Sequence, residues 1–195
     1  MIALEGLIAS GKSTLLHKIN EIGYDILPEP TDEWTKNGWL DDFYESPEEY
    51  GFPFQMQVLH SHLTNKSVTS SNYFTERTAY TSHNCFGRLL YEDGLISRRN
   101  FYLMNGFYES FNQLPKKIIY LKTDPVTCLE RIRTRGRESE SNMSIDYLNK
   151  LHTKYERYLV NDAPDCEIIT LNGNLTETEL FEKVTELIKG GLFIN

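Results

Sequence analysis

The chain has 195 residues, 39% of them hydrophobic and 12% aromatic, enough for one globular domain over 1–195 whose core buries about 70% of the unfolded surface. A formal net charge of −8 with no Lys/Arg run excludes general binding to a nucleic-acid backbone, so any phosphate site must be local. Cys85, Cys128 and Cys166 are odd in number and outside any C-x-x-C pattern, which argues against a disulfide framework or zinc site, and no apolar run approaches the ~20 residues of a membrane span.

The chain opens on an apolar run, Ile2–Glu5, that leads into Gly6-x-x-x-x-Gly11-Lys12-Ser13 and then an amphipathic stretch with Leu15, Leu16, Ile19 and Ile22. Strand, glycine loop and helix in that order make a P-loop over 6–13. Backbone N–H groups from Gly6, Leu7, Ile8, Ala9, Ser10, Gly11, Lys12, Ser13 and Thr14 are placed to surround a phosphate. Lys12 reaches the outer phosphates, the Ser13 hydroxyl suits Mg²⁺, and the helix directs its positive end at the same anion. A strand starting at residue 2 leaves no room for a signal or transit sequence, so a cytoplasmic location is expected.

Further strands are predicted at Tyr24–Leu27, Tyr73–Glu76, Ile118–Leu121 and Cys166–Leu171, separated by stretches of helical periodicity. Strands alternating with helices mean an α/β fold, a five-stranded parallel sheet flanked by helices. The polar Ser70-Ser71-Asn72 makes the start of the third strand the least regular. In such a sheet the ligand lies at the carboxyl ends of the strands. After the second strand comes Pro28-Glu29-Pro30, where two prolines fix the backbone on both sides of a carboxylate suited to a general base. After the third comes Glu76-Arg77-Thr78, where Glu76 suits a Mg²⁺ water and Arg77 the neutralisation of negative charge.

Pro47-Glu48-Glu49 opens a helix that is expected to resume after Pro53, with Gln55, Val58 and His62 on one face; Ser82 and Phe86 share a face of the helix after Thr78. Phe54 reads first as core. A buried Gln55 among aromatics needs a partner, and a nucleobase edge supplies one. Ser97 caps an aromatic helix to about Asn112, which core packing and a subunit contact explain equally well. Asp124-Pro125 starts a helix to Arg135 as N-cap and first-turn proline. Arg131, Arg133, Arg135 and Arg137 stand within seven positions, and Gly136 breaks the helix among them. Arg133 reads as a solvated charge. Arg135 and Arg137 read as the tips of an arginine-bearing lid over about 133–141, able to stabilise charge spread over a migrating phosphoryl group. Ser144 caps a helix from Ile145 to Leu159, and Thr176 with Glu179 forms a capping box for the last helix, which ends at Gly190-Gly191.

Together the P-loop, Glu29-Pro30-x-x-x-Trp34, Tyr44 ten residues before Phe54-Gln55, Glu76-Arg77-Thr78 and the Arg131–Glu140 lid resemble the deoxynucleoside kinase family, from Ile2 to about Leu171. The resemblance implies a P-loop kinase fold and transfer of the ATP γ-phosphoryl group, with Mg²⁺, to the 5′-hydroxyl of a deoxynucleoside in nucleotide salvage. It further implies Glu29 as the base, Arg77 bonded beside it, and Gln55 on the base edge with Phe86, Trp34 and Phe54 around the ring. Tyr44 and Glu140 would hold the sugar 3′-hydroxyl, Lys12, Arg135 and Arg137 the phosphates, and family members are homodimers. The chain departs from the family in having Thr78 for Ser, and Val58, His62 and Ser82 where the purine- and cytidine-preferring branch has Ala, Arg and Asp. Without that Arg/Asp pair a pyrimidine, thymidine or deoxycytidine, is the expected acceptor. Two other readings stay open: a thymidylate-type nucleoside monophosphate kinase, disfavoured because Glu29 would repel an acceptor phosphate, and a non-catalytic nucleotide-binding regulator, which would need no base.

Overall fold

The structure, a computed structural model, describes residues 1–65, 68, 70, 72–111 and 114–193. Strand β1 (Ile2–Gly6) runs into the glycine loop and helix α1 (Lys12–Glu21). Then follow β2 (Asp25–Leu27), α2 (Thr31–Lys36), α3 (Trp39–Glu45), α4 (Pro47–Thr64) and β3 (Tyr73–Glu76). Helix α5 (Ala79–Thr81), a π-helical stretch (Ser82–Gly87) and α6 (Arg88–Glu92) continue one another, followed by α7 (Arg98–Glu109) and β4 (Lys117–Lys122). Helix α8 (Pro125–Arg135), a 3₁₀ turn (Glu138–Glu140), α9 (Ile145–Glu156) with a π turn (Arg157–Asn161), β5 (Glu167–Asn172) and α10 (Glu177–Lys189) complete the described chain.

All five strands are parallel, in the order β2-β3-β1-β4-β5, as the alternation of strands and helices predicted. Strand β1 sits at the centre, paired on one side with β3 (Leu4 opposite Glu76) and on the other with β4 (Gly6 opposite Leu121). Its side chains divide by parity between the two faces. Ile2 and Leu4 pack with Leu15, Leu16 and Ile19 of α1 and Leu180 and Val184 of α10. Ala3 faces the opposite layer, with Cys85, Leu89, Leu148, Leu151 and Tyr155. A third apolar cluster stands off the sheet: Trp34, Leu40, Phe43, Phe54, Val58, Leu59, Leu90, Phe101 and Met104 hold α2, α3, α4, α6 and α7 together. That cluster forms one wall of the site.

Several expectations change. Helix α4 runs unbroken through Pro53, although a proline there removes a backbone bond. Packing of Gly51, Phe54, Val58 and Leu59 on both sides of Pro53 outweighs that loss. The helix after Thr78 contains the π-helical stretch at Ser82–Gly87, where Gly87 lies so close to Met104 that a Cβ would stand 2.5 Å from its Cε. Asp124 makes no side-chain cap; its Oδ2 instead accepts from Asn174 Nδ2 at 3.0 Å. Helix α9 gives way to the π turn after Glu156, before the expected Leu159, and α7 ends at Glu109. Asn112, the predicted end of α7, and Ser71 lie outside the described residues. The Thr176–Glu179 capping box is present in both directions.

The turn out of β1 is a tight point of the backbone. Gly6 has φ 148°, and a Cβ there would meet the Leu121 carbonyl at 2.7 Å and Ser10 Oγ at 2.8 Å. Gly6→Ala is therefore expected to cost about 2–3 kcal/mol in a urea unfolding titration, from strain and overpacking together. Gly106→Ala in α7, whose Cβ would meet nothing within 4 Å, should instead be neutral or stabilising by up to about 1 kcal/mol.

Candidate active site

The glycine loop leaves β1 in a conformation that turns Lys12 inward. Lys12 is 3% exposed, and its Nζ donates to Gly6 O (3.2 Å), Leu7 O (2.7 Å) and Ser10 Oγ (3.3 Å). Burial, and Arg77 after it, pull its pKa down to about 8, while Glu76, Glu29 and Glu5 act the other way. Gly11 precedes α1 with φ 100° and no side-chain cap, so the first N–H groups of that helix are free of a capping side chain. Ser13 Oγ donates to Glu76 Oε1 at 2.8 Å, which brings the two residues expected at the metal side by side, one in the first turn of α1 and one at the end of β3.

Beyond β3, Arg77 occupies the left-handed region at φ 62°, a conformation that costs a non-glycine residue about 1 kcal/mol or more. Its N–H donates to Leu4 O at 3.0 Å, one step past the ladder between β1 and β3. The turn throws the guanidinium into the site, where Nε donates to Glu29 Oε1 at 3.1 Å and Nη1 to Gly6 O at 3.2 Å and Tyr155 Oη at 3.4 Å, with the Phe86 ring 4.8 Å away. The side chains of Arg77 and Glu29 are 7% and 9% exposed. Burial raises the Glu29 carboxyl above its ordinary value and Arg77 opposes that rise, while the carboxylates around Arg77, Glu29 foremost, keep the guanidinium charged against its own desolvation.

These groups border a cavity of about 1100 Å³. At one end lie the glycine loop, Glu76, α8 and the start of α10; at the other, Trp34, Tyr44, Phe54, Gln55, Val58, Ser82 and Phe86 line the wall, with Glu29 and Arg77 between. Trp34 and Phe54 meet edge to face at 5.5 Å, and Trp34 Nε1 donates to Ser61 Oγ at 3.3 Å. Gln55 is 3% exposed. His62 does not line the cavity. It stands behind Ser82, with Nε2 3.0 Å from Ser82 Oγ.

Of the residues expected in a lid, Arg135 and Arg137 differ in their setting from that expectation. Arg135 still belongs to α8, which Gly136 closes at φ 68°, so only Arg137 projects from a loop. Both arginines reach Glu140, which is 3% exposed: Arg135 Nη2 bonds Oε2, and Arg137 Nη1 donates to Oε1 at 2.9 Å. Arg133 is exposed and outside the cavity lining.

Three residues escaped the sequence reading. Arg131, one turn before Arg135 on α8, donates from Nη1 to Ser10 O (3.4 Å) and Gly173 O (3.1 Å), bracing the glycine loop; its spacing from Arg135 was a usable signal. Tyr147 of α9 lines the cavity beside Glu140, and Glu5 lies fully buried beneath it; neither carries a motif.

A triphosphate with a divalent cation fits the residues present. The Gly6 turn leaves no space for a Cβ, the Lys12 ammonium sits within the loop, and Ser13 with Glu76 supplies hard oxygen donors. Among the described residues no group of three or more His, Cys, Asp or Glu makes a metal site by itself, so a cation here would need phosphate oxygens as further ligands.

The model of the deoxynucleoside kinase family matches residues 2–190. Protein 143R of Invertebrate iridescent virus 6 is 33% identical over 191 residues, 96% of both chains. Human deoxycytidine kinase is 28% identical over 231 aligned positions, 96% of this chain and 89% of its own. Deoxyadenosine kinase of Dictyostelium discoideum is 30% identical over 177, 88% of this chain and 71% of its own. Glycine loop, parallel sheet and near-complete match agree, and the chain belongs to the deoxynucleoside kinase family, phosphotransferases with ATP as donor.

Proposed function

We propose that the chain transfers the ATP γ-phosphoryl group, with Mg²⁺, to the 5′-hydroxyl of a pyrimidine deoxynucleoside, thymidine or deoxycytidine, in nucleotide salvage. The observation that carries the reading is Glu29: a buried carboxylate held between two prolines and bonded to Arg77, at the junction of the glycine loop and the aromatic end of the cavity. A rise in its pKa toward working pH suits a base that must take up a proton as the acceptor oxygen attacks phosphorus and ADP departs. Lys12, Arg135 and Arg137 border the same cavity, which supports their role as the cations that balance charge on the transferred group. Ser13 and Glu76 would hold the metal ion, which supplies charge neutralisation at the phosphates. Tyr44 is a protonated phenol, its pKa raised further by burial, and can donate to a 3′-oxygen.

The base preference rests on the lack of charge at the aromatic end. Gln55 and Ser82 present neutral polar groups, Val58 an apolar one, and His62 behind Ser82 is kept uncharged because burial, and then Arg77, lower its pKa to about 4. The relatives' names span deoxycytidine and deoxyadenosine kinases, so they do not select the base. Pairing of two copies is supported by α7, where Tyr102 is 80% and Leu103 59% exposed. A reducing cytoplasmic setting is supported by three free cysteines.

Glu29→Gln is expected to lower kcat by ~10²–10⁴ with the chain still folded at the assay temperature, although its thermal transition falls because Arg77 loses its carboxylate partner; near-native turnover would reject Glu29 as the base. In a coupled ADP-release assay thymidine and deoxycytidine should outpace purine deoxynucleosides, and dTMP should be a poor acceptor because Glu29 faces it. His62 makes a separate pH prediction. Its folded pKa lies below the unfolded one, so between pH 6.5 and pH 4 the unfolded chain binds the extra proton and stability falls with acidification. Urea titrations at pH 7 and pH 4.5 should show His62→Gln escaping about 2–3 kcal/mol of the acid loss seen in the parent.

A further inference from the structure

Glu5 is the least expected buried charge in the molecule. It is the residue of β1 immediately before the glycine loop, it is 0% exposed, and its side chain points with Ala3 into the layer of Cys85 and Tyr155. A carboxylate placed there pays a desolvation cost that only hydrogen bonds and nearby cations offset. Three hydroxyls meet it, two from the start of α5 and one from α9. Thr78 Oγ1 donates to Oε1 at 2.8 Å, Thr81 Oγ1 to the same oxygen at 2.7 Å, and Tyr155 Oη to Oε2 at 3.4 Å. Burial still lifts its pKa to about 7, with Arg77 the largest opposing influence.

Each of these contacts leads to Arg77. Tyr155 Oη, which donates to Glu5, accepts from Arg77 Nη1 at 3.4 Å, and Arg77 Nε donates to Glu29. Thr78 follows Arg77 in the chain, and as the N-cap of α5 its Oγ1 also accepts from the Thr81 N–H. The left-handed turn at Arg77 persists only if its surroundings over-determine it, and Glu5 grips the residue directly after that turn. A continuous chain of hydrogen bonds thus runs Glu5, Tyr155, Arg77, Glu29, from the floor of the sheet to the candidate base.

We propose that Glu5 is a positioning residue for phosphoryl transfer: it fixes Arg77 through Tyr155 and Thr78, and Arg77 in turn orients Glu29. The proposal rests on the reading of the chain as a deoxynucleoside kinase with Glu29 as its base.

The test uses the full chain with thymidine, deoxycytidine and ATP, comparing the parent with Glu5→Gln, Tyr155→Phe and the double variant. Glu5→Gln keeps the shape but not the charge. It should lower kcat about 10- to 100-fold, as a misplaced reacting group does, with KM for nucleoside and ATP within about twofold of the parent. Tyr155→Phe should lower kcat in the same manner. The double variant should be no slower than Glu5→Gln alone, because both changes break one chain of bonds. A kcat for Glu5→Gln within twofold of the parent, or losses that multiply in the double variant, would overturn the proposal. So would a kcat loss that vanishes at temperatures well below the variant's melting transition, because the loss would then report unfolding alone. If Glu5→Gln does not fold, Tyr155→Phe decides the matter: unchanged kcat rejects the chain of bonds, and reduced kcat at unchanged KM supports it. A parent that phosphorylates no deoxynucleoside would overturn the functional reading and the proposal with it, whereas an active parent with an equally active Glu5→Gln rejects only the role of Glu5.

Discussion

The buried guanidinium of Arg77 is the group on which the rest of the site depends. A cation that is 6% exposed must find its compensation inside the protein, and it does so at Glu29, at the Gly6 carbonyl, at Tyr155 and over the face of Phe86. Those partners come from the loop after β2, the end of β1, α9 and the π-helical stretch, so one charge ties four segments to one point. Removing either member of such a pair leaves the other uncompensated, which commonly costs 3–5 kcal/mol. The left-handed backbone at Arg77 is the local cost of aiming that charge.

Around this point the sheet and the third apolar cluster do different work. Strand β1, buried on both faces and flanked by β3 and β4, fixes where the glycine loop begins. The Trp34, Phe43, Phe54 and Met104 cluster then sets the far wall of the cavity, so the phosphate end and the aromatic end are held by separate cores. The π-helical stretch at Ser82–Gly87 belongs to both. It carries Ser82 and Phe86 on the cavity side and lets Gly87 approach Met104 on the other.

The lid adds a second compensated charge cluster. Glu140 is almost wholly buried and accepts from Arg135 and Arg137, so the two arginines are gathered by one acid. Arg131, lower on the same helix, is spent on the carbonyls of Ser10 and Gly173 and braces the loop that Lys12 occupies. Three arginines from one short segment, two on α8 and Arg137 just past its end, thereby take structural and candidate catalytic places. Arg133, on the opposite side, remains exposed.

The order of elements was legible in the sequence because each signal is local. The apolar runs place all five strands to within a residue at most ends, the glycine loop needs its own residue types, and Ser97, Ser144 and the Thr176–Glu179 box are caps whose partners lie three residues away. Local signals misled where packing outweighed them, as at Pro53, or where a side chain found a distant partner, as Asp124 did in Asn174. Lys12, Ser13, Glu29, Glu76 and Arg77 could be named from their positions after the strands, since a parallel sheet brings those positions together, whereas Trp34, Tyr44 and Glu140 were named through the family resemblance. What only the tertiary structure decided is how they pair: that Arg77 bonds Glu29 itself, that His62 stands behind Ser82, and that Glu5 reaches Arg77 through Tyr155. Those partners lie 20 to 150 residues apart in sequence, and no periodicity encodes a contact made by the burial of charge.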